Sequence, residues 1–145
     1  FRKNNADITV RCIQDLYRAE ANRQQMLACL REDKSIIGAY SVRARNTIPL
    51  CEAAMDSGRI NELFLVGSDL FPENMCCLEQ GIFSNLLHKN TYRQAYVATQ
   101  YLTEFLLRNI APPSESVYVR SEVLFRSSIP MYQCETVSGN HLYIS

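Results

Sequence analysis

The polar clusters with the residue types to do chemistry are Asp15-Leu16-Tyr17-Arg18, Arg43-Ala44-Arg45, Ser68-Asp69 and His88-Lys89-Asn90. Brought to one rim, an aromatic face, an arginine fork, a carboxylate and a lysine suit a polyhydroxylated small molecule. The ring of such a ligand stacks its C–H face on the phenol while the charged groups hydrogen-bond its hydroxyls. Catalysis has no comparable constellation. His88 and His141 are the only histidines, and neither sits in a nucleophile elbow, a zinc-ligand spacing or a glycine-rich phosphate loop. Cys134 and His141 lie seven residues apart near the end of the chain, but two ligands do not make a metal site. His88 reads as a loop histidine beside Lys89. The expectation is a binding protein, not an enzyme, with no cofactor and no metal.

Whether those clusters meet depends on the elements that carry them. Ile8-Thr9-Val10-Arg11-Cys12-Ile13 alternates and is β-branched, which predicts a strand, and Ala19 to Glu32 places Met26, Leu27 and Leu30 at helical spacing. The apolar run Ser35 to Val42 predicts a second strand. A helix carrying Ile48, Cys51 and Met55 follows, capped by Asn46 and stopped by Gly58. The third repeat is a buried strand, Glu62 to Gly67, with a short helix opened by Pro72 and closed by Gly81. Phe83 to Leu87 predicts a fourth strand. The longest helix, Thr91 to Asn109, then offers Ala95, Thr99, Leu102 and Leu106 as one face, with Tyr92, Tyr96 and Tyr101 at its margins against the sheet. Pro112-Pro113 ends it before a last strand or strand pair within Ser116 to Arg126.

Strands alternating with helices at intervals of about 25 residues define an open α/β class: a mainly parallel sheet with helices on both faces. In such a sheet ligands bind beyond the carboxyl ends of the strands, where the polar clusters fall. Phe1-Arg2-Lys3 resembles the last turn of a helix, so the chain is expected to begin within an element.

Composition narrows the functional classes further. The chain has 145 residues, with 15 Lys or Arg balanced by 15 Asp or Glu, enough for one core. Zero net charge gives no electrostatic reason to expect nucleic acid or an anionic membrane on this segment. Apolar stretches such as Leu63 to Val66 fall far short of the roughly 20 residues needed to cross a bilayer, and the first residues are no secretory signal. Of the six cysteines, Cys12, Cys29 and Cys51 fall where the patterns want small apolar residues, which predicts reduced, structural thiols and a cytoplasmic location.

In order along the chain, Val66-Gly67-Ser68-Asp69, Pro72-Glu73-Asn74, Gln80-Gly81 and Lys89 through Ala98 resemble the second lobe of the type I periplasmic-binding-protein fold. That superfamily includes ribose-type sugar-binding proteins and the effector domains of lac-repressor-type (LacI/GalR) regulators. The resemblance runs from Phe1 to about Ile129. It makes residues 1–130 a C-terminal lobe incomplete at its start and residues 131–145 a tail. It also makes Tyr17 similar to the aromatic that stacks on the ligand, and Arg43 similar to the polar residue ending the next strand. Asp69 matches the strand-end aspartate that accepts ligand hydroxyls, and Lys89 stands where many members carry Gln. Thr91 departs from a usual Pro and Ala95 from a common Gly. Arg43 and Lys89 beside one Asp leave room for an anionic group on the ligand.

The resemblance implies a ligand held between two lobes, with the stretch near Ser128-Ile129-Pro130 extended and returning toward the hinge. The expected function is the effector-binding domain of a LacI-type regulator. It would take a carbohydrate-like effector and act as a homodimer on DNA through a helix-turn-helix not contained in this chain, with no membrane partner. The alternative is a solute-binding protein or sensor domain with the same cleft and no DNA partner.

Overall fold

The computed structural model describes residues 8–132. Helix α1, Ala19–Glu32, turns Leu27, Cys29 and Leu30 inward, and the Asp33 amide closes its end on the Cys29 carbonyl. Strand β1 is short, Gly38–Tyr40, and a single 3-10 turn at Ala44–Asn46 leads into α2, Thr47–Asp56. Asn46 does not cap α2 through its side chain as predicted, because its Oδ1 accepts instead from Asn22 at 2.9 Å. The 3-10 turn takes up the leading amides, and Gly58 at φ +72° ends the unit, a conformation only glycine adopts without strain.

Strand β2, Phe64–Ser68, and helix α3, Pro72–Glu79, follow, with Pro72 in the first turn where its missing N–H costs nothing. Strand β3 is Asn85–His88, two residues later than predicted at its start, because Phe83 leaves the ladder to fill the core. Helix α4, Thr91–Arg108, and strand β4, Glu122–Leu124, complete the order. The sheet runs β1-β2-β3-β4, with β1, β2 and β3 parallel and β4 antiparallel to β3. This is the open, mixed α/β architecture the alternation of patterns predicts.

Register places Ala39, Leu65, Gly67, Leu86 and Leu124 on one face. There Leu65 and Leu86 pack with Leu27, Leu30, Leu50, Cys51, Ala53, Ala54, Leu78 and Phe83 in a continuous core beneath α1, α2 and α3. The expected cover of both faces is met on this one. On the other, Tyr40, Val66, Asn85, Leu87 and Val123 line an open pocket.

Three further expectations are corrected, and the expected last strand is narrowed. Residues 8–13 form no strand and are exposed, Cys12 included, because a strand requires a partner edge and β1 is paired only to β2 among the described residues. Within Ser116 to Arg126 only Glu122–Leu124 pairs with a neighbour. No residue of α4 is buried. Its predicted face is open, with Leu102 57% and Leu106 70% exposed, while Val97 and Tyr101 turn toward Val117–Val119. The amphipathic pattern is real, but the described residues provide no layer over that face. Lastly, Ser128 to Pro130 is not extended: a 3-10 turn at Arg126–Ser128 runs into helix, with Pro130 in its first turn. Phe1-Arg2-Lys3, Cys134 and His141 lie outside the described residues.

Candidate ligand-binding site

The rim beyond the carboxyl ends of the strands is held together by buried polar side chains. Ser68, fully buried at the end of β2, donates its hydroxyl to the Ser41 carbonyl at 2.6 Å, and its amide donates to Thr47 Oγ1 at 3.1 Å. Asn74 on α3 donates to the Ser68 carbonyl at 2.9 Å and the Asp69 carbonyl at 3.2 Å, which explains the Pro72-Glu73-Asn74 segment structurally. These bonds fix where β2 stops and how Asp69 leaves it. Asp69 sits at φ +65°, a left-handed conformation that Asp tolerates better than most residues. Its amide donates to the Leu87 carbonyl at 3.0 Å, carrying the β2–β3 ladder one step past the sheet.

Lys89 is pulled to this point from the other side. Its amide donates to Asp69 Oδ1 at 3.1 Å, its ammonium lies 3.5 Å from Asp69 Oδ2, and the same ammonium donates to the Val42 carbonyl at 2.6 Å. Asn90, at φ +49°, then caps α4 by accepting the Arg93 amide. Asp69 and Lys89 are therefore one pair, tied to the residue before Arg43.

Tyr17 and Arg43 form the second pair. Tyr17 adopts φ +61°, strained for a bulky side chain, and Asp15 Oδ1 holds that turn by accepting the Tyr17 amide at 2.8 Å. The ring stands 69% exposed, with the Arg43 guanidinium carbon 5.3 Å and that of Arg45 4.8 Å from its centroid. Both arginines meet Asp15 Oδ2, Arg43 at 3.3 Å and Arg45 as a close hydrogen-bonded ion pair. The Arg45 guanidinium, followed by the Asn22 amide, holds the Asp15 carboxyl well below the usual carboxylate range.

Of the four residues predicted from sequence, Arg43, Asp69 and Lys89 stand on loops that follow β1, β2 and β3, whereas the loop carrying Tyr17 follows no strand among the described residues. Asp15 and Arg45 stand in the polar clusters read from sequence without an assigned role, and Asn22 was not among them. Asn22 is 2% exposed, donates to Asp15 at 2.7 Å and to Asn46 at 2.9 Å, and accepts the Leu16 amide at 2.8 Å. Its only sequence signal is a short polar residue on the inward side of α1. His88 packs edge-on against Tyr132, ring centroids 6.3 Å apart, and burial lowers its imidazole's affinity for a proton. Among the described residues no group of three or more His, Cys, Asp or Glu is placed to hold a metal ion, and no helix is long and apolar enough to cross a membrane.

The open, mixed sheet with its helices matches part of one lobe of a periplasmic-binding-protein-like fold. Among solved structures, the chain is similar to a glucose-galactose binding protein from Geobacillus stearothermophilus, with a TM-score of 0.77 and 15% identity over 88% of this chain and 45% of that one. It is also similar to a periplasmic solute-binding protein of an ABC transporter from Actinobacillus succinogenes 130z with bound D-allose, with a TM-score of 0.69 and 17% identity over 80% of this chain and 40% of that one. A third is the Caulobacter myo-inositol binding protein bound to myo-inositol, with a TM-score of 0.68 and 13% identity over 79% of this chain and 39% of that one. The chain therefore spans less than half the length of each of these three structures. No protein-family model matches the chain, and no curated protein matches it in sequence.

Proposed function

We propose that this chain forms one wall of a two-lobed receptor for a polyhydroxylated small molecule, in a solute-binding protein that serves transport or sensing. The observation that carries the reading is the convergence of Tyr17, Arg43, Asp69 and Lys89 on adjoining loops at one rim of the sheet. The exposed Tyr17 side chain offers apolar contact to the ligand, and the charged groups hydrogen-bond its hydroxyls. The similar structures, a glucose-galactose binding protein and binding proteins holding D-allose and myo-inositol, support this ligand class. Binding without catalysis fits the same neighbours, which are sugar- or solute-binding proteins. Asp69→Asn keeps the shape and the left-handed turn while removing the charge. In the full-length protein it is expected to weaken binding of a sugar ligand at least tenfold by calorimetry, about 1.4 kcal/mol or more, with a melting temperature close to wild type. Unchanged affinity contradicts the reading.

A second reading is favoured by the thiols. All five described cysteines are free, and Cys51 and Cys77 lie 3.9 Å apart as thiols, with burial pushing Cys51 up to about 12. Such groups suit a reducing compartment, and with it a cytoplasmic LacI-type regulator in which effector closure reorients the DNA-binding heads of a homodimer. The coding sequence upstream of Phe1 separates the two. A helix-turn-helix makes the protein the regulator, and a signal peptide or membrane anchor makes it the solute receptor.

A further inference from the structure

A neutral sugar presents hydroxyls that need acceptors as much as donors, so the hydrogen-bonding capacity left at the rim distinguishes ligand classes. Both carboxylates already meet protein donors, although Asp69 keeps acceptor capacity on each oxygen. Asp15 Oδ1 accepts from the Tyr17 amide and from Asn22, and Asp15 Oδ2 faces both Arg43 and Arg45. Asp69 Oδ1 accepts the Lys89 amide, and its Oδ2 is paired with the Lys89 ammonium. The cations are not used to the same degree. Each guanidinium carries a fork of N–H donors and no acceptor, yet among the described residues the one carboxylate either of them meets is Asp15. Both arginine side chains are about half exposed, 52% for Arg43 and 47% for Arg45, and both guanidinium groups stand over the Tyr17 ring. Three cations stand against two carboxylates in this group, leaving one positive charge over.

Resting on the receptor reading above, we infer that the ligand is a sugar carrying an oxyanion, set beside Tyr17 with its carboxylate or phosphate held by the spare donors of Arg43 and Arg45. Paired guanidinium N–H groups match the oxygens of a carboxylate or a phosphate bidentately, which a lysine would not do. Lys89 is held by Asp69 and the Val42 carbonyl and sets the position of that loop.

The test is calorimetry on the full-length protein at fixed ionic strength. D-glucose and D-galactose are compared with D-glucuronate, D-galacturonate and D-glucose 6-phosphate, with inorganic phosphate alone as the control for bare anion binding. An acidic sugar is expected to bind at least about tenfold tighter than its neutral parent, and the uronate and phosphate arms tell which oxyanion is read. Arg43→Gln and Arg45→Gln are each expected to narrow the acid-over-neutral ratio about tenfold, and Arg43→Lys to narrow it less because the charge remains. Neutral sugars binding as well as their acids overturns the inference and leaves the receptor reading in place. An acid preference that survives both Arg→Gln variants, each folded by circular dichroism, overturns it too. If none of these sugars binds, both fail.

Discussion

Asp15 is the residue on which the aromatic half of the rim depends. One carboxylate oxygen holds the strained turn of Tyr17 and the other gathers both arginines, so its ionisation and the posture of the Tyr17 ring are linked. Because Arg45 holds the folded-state carboxyl below its ordinary range, the unfolded chain takes up the proton first as pH falls. The contribution of Asp15 is therefore complete at neutral pH and is lost on acidification, over roughly pH 5 to 2. His88 adds to the same trend, since its buried imidazole resists protonation more than in the unfolded chain. Denaturant titrations across that range should show a shallower acid loss for Asp15→Asn than for wild type, and parallel curves would contradict the assignment. That Tyr17, Arg43, Asp69 and Lys89 come to one rim was legible in the sequence. The partners of Asp15 were not, because Asn22 and Arg45 are brought to it by the fold from either side in sequence.

Glycine 67 and Arg59 set the elements that carry these residues. A Cβ on Gly67 would lie 2.6 Å from both Leu86 Cδ2 and Thr47 Cγ2, side chains that are themselves fully buried and have no space to give. Gly67→Ala is expected to destabilise the fold by about 2 kcal/mol in chemical denaturation, through overpacking of β2 against α2. An unchanged midpoint would show that the layers are looser than described. Arg59, 6% exposed, donates from Nη1 to the Leu30 and Asp33 carbonyls at 3.1 Å each and from Nη2 to Lys34 and Ile36 at 3.2 and 2.6 Å. It thereby closes the end of α1 and steers the chain into β1. The periods of α1 and of the helix after Asn90 reproduce the observed spans, Ala19–Glu32 and Thr91–Arg108, almost to the residue. Strand lengths were less legible. Ile8 to Ile13 has strand-forming residues and no partner edge, and Phe83 has strand character but serves the core. Helical period is a local property, whereas pairing is decided by whichever neighbour the rest of the chain supplies.

At the scale of the molecule, the described residues seal one face of the sheet, and in the proposed receptor the loops at its rim supply one side of the cleft. A ligand enclosed by two walls is bound far more tightly than one resting on a single wall, so the chain alone is expected to bind weakly, with dissociation constants around the millimolar range. That weakness makes binding readable by exchange-averaged NMR. The most direct measurement is therefore a titration of the isotopically labelled chain with neutral and acidic hexoses, following backbone amide shifts residue by residue. The account predicts concentration-dependent shifts concentrated at Tyr17, Arg43, Asp69 and Lys89. Shifts confined to the groove between α4 and Val117–Val119, or none at the rim with any of these sugars, would contradict it.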